Sequence, residues 1–379
     1  MEKKRFGLVL SGGGARGAYQ AGVIKGLLEI AEGAGNPKPF HILSGISAGA
    51  INATFLAANS HSPNYKIPDL VRLWSQISAQ NVFRTDIGTL SGIGAKWIRD
   101  VTLGGFLDSH IARAFLDTKP LWSLLEDNIS YGQLRENIRA GAVEALAITA
   151  TDYSSSEAIT FVQSQSKFES WVRPQRRSKP EEIRPEHVMA SAAIPLFFPA
   201  INVAGRYFGD GCLRNTAPLS PAVHLGADKI VAIGVRRENT GEPALNEDSL
   251  DKAPSIGRVL NTILNAVILD SVHGDVERLL RINSTLSKIP DEKKGQTTLR
   301  PIDVLWVYPS EDIGGLARKE AWRLPKVVKY LLGGLGPVED TSEIVSYLLF
   351  DPEFCSKLVE IGYRDALRKK KEALDFLKS

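Results

Sequence analysis

The sequence predicts an α/β protein in which short, fully apolar strands alternate with helices around one large core. Near the N-terminus the apolar run Phe6-Gly7-Leu8-Val9-Leu10 leads through a glycine cluster into a stretch with helical spacing, residues 18–31. The same order recurs directly afterwards: Phe40-His41-Ile42-Leu43, a glycine-bounded turn, then the helix-compatible Ala50-Ile51-Asn52-Ala53-Thr54-Phe55-Leu56. Further apolar runs at 145–151, 158–162, 230–235 and 302–307 have the length of buried strands, and 379 residues are ample for one core with an appended helical region.

In the first helical stretch Val23, Ile24, Leu27, Leu28 and Ile30 fall on neighbouring turns, and in residues 69–77 Leu70, Val71, Leu73, Trp74 and Ile77 do the same, which marks both as core-packing helices. Residues 81–107 change character. Gly88, Gly92, Gly94, Gly104 and Gly105 punctuate apolar residues that include Trp97 and Phe106, a pattern that suits either a mobile cover or an ordinary packed insertion. Asp108 or Ser109 is placed to cap a helix running through Phe115. Strands at 145–151 and 158–162 flank a polar turn at 152–157. Residues 163–185, with Arg173, Arg176, Arg177 and Lys179 among prolines, read as a solvated loop, with phospholipid head-group contact as the alternative. A long helix is expected over 256–280. From Arg318 onward the chain is mainly helical and is interrupted at Gly333-Gly334-Leu335-Gly336-Pro337. Ile344, Val345, Leu348, Leu349, Leu358, Ile361 and Leu367 have the spacing of helices laid on a core, and the basic run Arg368 to Lys371 reads as a solvated face.

The chemistry is concentrated in two turns. Gly45-Ile46-Ser47-Ala48-Gly49 lies between a strand and a helix, the setting in which Gly-x-Ser-x-Gly forms a nucleophile elbow: Ser47 projects from a strained turn, and Gly45 and Gly49 let strand and helix approach. Ser11-Gly12-Gly13-Gly14-Ala15-Arg16-Gly17 follows the first strand and opens the first helix. Backbone amides at a helix start can hold negative charge, either a phosphate or the oxyanion of a tetrahedral acyl intermediate. Gly12-x-Gly14-x-x-Gly17 also fits a dinucleotide fingerprint, but the next strand ends at Leu43-Ser44-Gly45 without the carboxylate that would hold the ribose. The nearby Ser47 favours the oxyanion reading.

Together the two motifs resemble the patatin-like phospholipase family, in which a glycine-rich oxyanion loop is followed by Gly-x-Ser-x-Gly and, much later, by Asp-Gly-Gly or Asp-Gly-Ala. Here Gly209-Asp210-Gly211-Cys212 stands in that order, after Ala190-Ser191-Ala192-Ala193-Ile194-Pro195, which is similar to the family's Ala-Ser-x-x-x-Pro segment. The likeness covers about residues 5 to 235. Ser11, where plant members usually carry Asp, and Cys212, in place of Gly or Ala, depart from the pattern with small residues. The resemblance implies a three-layer α/β/α fold with a mainly parallel central sheet; with the later strands and the helical tail read above, the chain is expected to divide into a catalytic domain over 1–310 and a helical C-terminal extension over 311–379 packed on it. The resemblance also implies a Ser-Asp dyad without histidine, hydrolysing lipid acyl esters of the phospholipase A or lysophospholipase type through an acyl-enzyme. In these terms Ser47 is the nucleophile, Asp210 the base and Gly12, Gly13 and Gly14 the oxyanion site, with Arg16, Gly17, Gly45, Gly49 and Gly211 as supporting motif positions. A free carboxylate, with a pKa of about 3.9, is a poor base toward a serine, so Asp210 needs desolvation to act.

A conventional triad would draw its histidine from those after the acid, His224 or His273, and neither has a local signature. Asp152 rivals Asp210 for the acidic role but precedes a serine-rich turn that it is placed to cap. A different class of reading is a catalytically silent lipid-binding or scaffold protein of the same fold. Forty-six basic against 43 acidic side chains give a net charge of only +3, too balanced to point to nucleic acid. Cys212 and Cys355 lie far apart with no metal-ligand or redox spacing, which fits reduced thiols in a cytoplasmic setting, and no metal or cofactor is implied. No secretory signal precedes the first strand, and no apolar run is long enough to span a membrane, so any lipid contact is expected to be peripheral.

Overall fold

In the computed structural model, which describes residues 4–85, 114–238 and 253–378, the first strand β1 (Phe6–Leu10) is buried along its whole length. Its side chains divide between two faces as strand geometry requires. Phe6, Leu8 and Leu10 join one apolar cluster with the helices α1 (Gly17–Gly33) and α2 (Ala48–Ala58). Val9 joins a second cluster with Leu219, Ala222, Val272 and Val276 on the opposite face. A sheet covered on both faces must be apolar throughout, which is why the early strands read as continuous apolar runs.

β1 pairs in parallel with β2 (Ile42–Ile46) on one side and β9 (Lys229–Ile233) on the other. β10 (Asp303–Val307) extends this parallel set beyond β9, and β3 (Ala145–Asp152) extends it beyond β2. β4 (Glu157–Ser164) returns antiparallel along the whole of β3, and β8 (Arg206–Asp210), paired with β7 (Ile201–Val203), also runs antiparallel to β3. The result is a three-layer α/β/α protein whose central sheet is mainly parallel.

The structure corrects the reading of 163–185 as a loop. Val172–Arg173 forms β5 and Arg176–Pro180 forms β6; β6 pairs in parallel with β4, and β5, antiparallel to β6, ends the sheet. Trp171 is the buried anchor of this pair, while Arg173 on β5 and Arg177 and Lys179 on β6 are exposed at the sheet's edge, where charge discourages further pairing. The helix expected at 256–280 is also different: α6 (Ile256–Leu264) passes through a wider π turn at Asn265–Leu269 before the helix Asp270–Leu286. The change of phase lets Leu264 join one face's cluster while Val272, Val276 and Leu279 join the other's. Most of the glycine-punctuated segment 81–107, with Trp97 and Phe106, lies outside the described residues, as do Asp108 and Ser109.

The C-terminal helix α8 (Pro352–Arg368) packs along α1 at backbone contact. A Cβ on Gly22 would lie 2.0 Å from the Val359 carbonyl oxygen, and one on Gly362 would lie 2.1 Å from that of Tyr19. Gly22→Ala is therefore expected to push the helices apart and lower stability by roughly 1–3 kcal/mol. Gly33→Ala, where a Cβ meets nothing within 4 Å, is the matched control and should cost nothing. Chemical denaturation compares them; equal midpoints would show that these glycines do not set the helix spacing.

Candidate active site

Both sequence motifs leave the sheet at the same end because β1 and β2 are parallel, with Leu10 opposite Gly45 in the register. β3 then acts as a ruler. Along one edge it pairs with β2 as far as Ile46 opposite Thr149, and from Ala150 opposite Asp210 the same edge is taken by β8. Ser47, the residue after Ile46, and Asp210 are thus brought end to end.

Ser47 has φ 55° and ψ −126°, a conformation that costs a non-glycine residue on the order of 1–3 kcal/mol and persists only when its surroundings hold it. Two groups do so. Its backbone N–H donates to Ser191 Oγ at 2.9 Å, and Ser191 Oγ in turn donates to the Thr149 carbonyl at 2.6 Å. Its carbonyl accepts from Ala50 N at 2.8 Å, starting α2. Ser191, the last residue of α5 (Pro185–Ser191), is a positioning residue that the sequence presents only as part of a longer segment.

The glycines are explained by close approach. A Cβ on Gly49 would lie 2.3 Å from the Leu10 carbonyl oxygen, one on Gly45 2.2 Å from that of Gly49, and one on Gly211 2.1 Å from that of Thr149. Gly17 lies against the Trp74 ring, Gly13 against Val235, and Gly12 against both Cys212 Sγ and the Ser47 side chain. Gly14 has φ +55° and leads the turn Gly14–Arg16 into α1, so the loop passes beside Ser47, with Gly12 against its side chain and Gly14 along the same pocket.

Arg16 does not face this cluster. Its guanidinium is buried, donating to Ser346 Oγ at 2.8 Å and the Val235 carbonyl at 3.0 Å, pairing with Glu343 and lying 5.2 Å from the Tyr347 ring centre. It fastens α7 (Ser342–Leu348) to the glycine loop.

Asp210 is 1% exposed. Its backbone is held by Ala193, whose carbonyl accepts its N–H at 3.0 Å, and by Thr151 Oγ1, which donates to its carbonyl at 2.8 Å. Its carboxylate accepts from Cys212 N at 2.9 Å. Burial pushes its pKa up to about 6, while this backbone donor, the Ser47 hydroxyl and the Cys212 thiol act on it to lower the value. The same burial, with the neighbouring carboxylate, raises the Cys212 thiol well above its ordinary value, so it stays protonated.

The other titratable groups considered above lie elsewhere. Asp152 accepts from Ser154 N and the hydroxyls of Ser154 and Ser155 and pairs with Arg206, so it caps its own turn. His224 stacks on Trp171 with ring centres 4.7 Å apart, and His273 faces Glu238. His187 accepts from Arg184 N and packs on Phe161, His41 accepts from Phe6 N, and His61 lies against Asn137. His110 is outside the described residues. Ser47 opens into an apolar pocket whose walls include Ile51, Trp74, Ile194, Phe198 and Phe350. Phe350 comes from the C-terminal region, so residues beyond 310 help to build the site.

Residues 8–223 match the family model described as patatin-like phospholipase. No curated protein matches the chain. Among solved structures it is similar to VipD from Legionella pneumophila, at 14% identity and a TM-score of 0.39, covering 98% of this chain and 67% of that one. It is similar to the type III effector protein ExoU, at 14% identity and a TM-score of 0.39, covering 98% of this chain and 54% of that one. It is also similar to human GIVD cytosolic phospholipase A2 in complex with methyl gamma-linolenyl fluorophosphonate, at 13% identity and a TM-score of 0.35, covering 99% and 60%. The chain thus spans between about half and two thirds of the length of these proteins. With the family model matched over more than half of its length, the chain belongs to the patatin-like phospholipase family.

Proposed function

We propose that the protein is a serine ester hydrolase of the phospholipase A or lysophospholipase type, working through Ser47 and Asp210 without a histidine. The observation that carries this reading is the strained Ser47 brought end to end with a buried carboxylate whose pKa burial raises to about 6. Relative to an ordinary carboxylate near 3.9, that rise narrows the mismatch with a serine hydroxyl by on the order of 3 kcal/mol while leaving about 90% of Asp210 ionised at pH 7.

In the first half-reaction Asp210 takes the hydroxyl proton as Ser47 Oγ attacks the ester carbonyl carbon. The carbonyl π electrons move to oxygen, and that oxyanion lies against the amides of the loop Gly12, Gly13 and Gly14. Collapse expels the alcohol, which leaves with the proton from Asp210, and an acyl ester on Ser47 remains. Water then repeats the sequence, giving its proton to Asp210 and releasing the acid. The apolar pocket receives the acyl chain, and the helical region 311–379 works as part of the site through Arg16 and Phe350. A fluorophosphonate probe tests the reading: labelling confined to Ser47 is expected, and a folded protein that takes no label would instead be a silent scaffold.

A peripheral lipid contact belongs to the same reading. No described helix is long and apolar enough to cross a membrane. On α6, Gly257 and Leu264 turn inward while Ile256, Val259 and Ile263 are exposed within about 60° of one another around the helix. Trp322 and Tyr330 are exposed among Lys319, Lys326 and Lys329. Apolar and aromatic groups set among cations suit an anionic lipid surface. Co-sedimentation with phosphatidylglycerol vesicles is expected to fall roughly 10-fold on Val259→Glu with Ile263→Glu; unchanged binding would remove this face from the contact.

A further inference from the structure

The apolar pocket that Ser47 lines shares part of its wall with a second pocket. Leu73 in α3 (Ile67–Gln76), Ile77 at the C-terminal end of that helix, and Leu124 in α4 (Lys119–Asn128) all line the apolar pocket. The same three side chains also line the second pocket, and that one is polar, bounded by Asn59, Lys66, Asp69, Arg72, Asp127 and Asn128. Side chains that line two pockets are the partition between them. Ile77 is buried at 4% exposure, while Leu73 and Leu124 are half-buried, as side chains with one side toward each space should be.

The two spaces are opposite in chemistry. An acyl chain attached at Ser47 is surrounded by hydrocarbon as far as the partition, and each methylene placed there is favoured by leaving water. One carbon further, its methyl end would displace the hydration of Lys66, Asp69, Arg72 and Asp127, for which hydrocarbon offers no replacement partner. The partition therefore changes the sign of the return on chain length over a short distance.

We propose that Leu73, Ile77 and Leu124 form the end wall of the acyl site and set the longest straight-chain acyl group that the enzyme cleaves well. The proposal rests on the reading of Ser47 as the nucleophile. It names the substrate class more narrowly: esters of unbranched fatty acids whose chain stops at this wall, with discrimination by length rather than by head group at this end of the site.

The test is a chain-length profile. Hydrolysis of p-nitrophenyl esters from butyrate to palmitate is measured for wild type, Leu124→Ala and Leu124→Phe, with each preparation's active sites counted by fluorophosphonate titration and Ser47→Ala as the blank. Leu124→Ala leaves the volume of the removed side chain on the apolar side of the wall and is expected to raise the long-to-short ratio of kcat/KM roughly 10-fold, while Leu124→Phe thickens the wall and is expected to lower it by a similar factor. Leu73→Phe narrows the same end from the other helix and should move the ratio in the same direction as Leu124→Phe. General damage to the fold lowers titratable sites and does not produce opposite shifts in a ratio. Profiles that stay parallel to wild type in all three variants would overturn the wall while leaving the nucleophile assignment standing. A wild type that cleaves no ester of the series in a Ser47-dependent way would overturn the proposed reaction, and the wall with it.

Discussion

Ser47→Ala is expected to lower ester hydrolysis roughly 10⁴-fold or more, to the level of the uncatalysed blank, because the substitution removes the attacking oxygen, the hydroxyl that acts on the Asp210 carboxylate. The fold should survive. The Ser47 backbone N–H keeps its bond to Ser191, its carbonyl keeps Ala50, and alanine differs from serine here only by the oxygen. The thermal midpoint should therefore stay within a few degrees of wild type, and the fluorophosphonate label should disappear. Residual hydrolysis near wild type in a folded Ser47→Ala protein would remove Ser47 from the chemistry.

Asp210→Asn should be equally inactive, since an amide keeps the shape and accepts the Cys212 N–H but cannot take the serine proton. Single alanine replacements of His41, His61, His110, His187, His224 and His273 should each retain substantial activity. In wild type, kcat/KM should fall about tenfold per pH unit below an apparent pKa of about 6, as the base becomes protonated. Stability moves the other way. A carboxyl whose pKa is raised on folding contributes most below its unfolded value, near 3.9, and that contribution is lost as pH rises through about 6. Above pH 6 the charged Asp210 costs the fold on the order of 3 kcal/mol, so Asp210→Asn should be more stable than wild type at pH 8 and lose that advantage near pH 4. A variant that is inactive and also less stable at pH 8 would mean that Asp210 serves the fold rather than the reaction. An active variant, alongside an inactive His224→Ala or His273→Ala, would return the chain to the triad hydrolases.

The parts of the site legible in the sequence are those fixed by local backbone geometry. Gly45, Gly49 and Gly211 carry their meaning in the residues beside them, because a turn that tight admits nothing larger, and the apolar runs of β1 and β2 announce a sheet buried on both faces. What could not be read are contacts between distant positions. Arg16 sits inside the glycine motif, yet its partners Glu343, Ser346 and Tyr347 lie more than 300 positions away, and nothing near them in sequence says so. Gly22, Gly26 and Gly362 read as weak points in helices until the helices are laid together. Ser191 was visible as a residue but not as the hydroxyl that holds Ser47. The strands β5 and β6 hid behind arginines and lysines because an edge strand needs little apolar pattern of its own.

The anchoring of Arg16 has a consequence in time. Ser346, the hydroxyl that receives its guanidinium, is separated from it by 330 positions, and the Tyr347 backbone packs directly on Gly14. At ribosomal speeds of about 5–20 residues per second, the nucleophile and the glycine loop are made roughly 15 to 60 seconds before the segment that braces them. By placing the brace for its glycine loop some 330 positions downstream, the chain ties the setting of that loop to the synthesis of a much later segment.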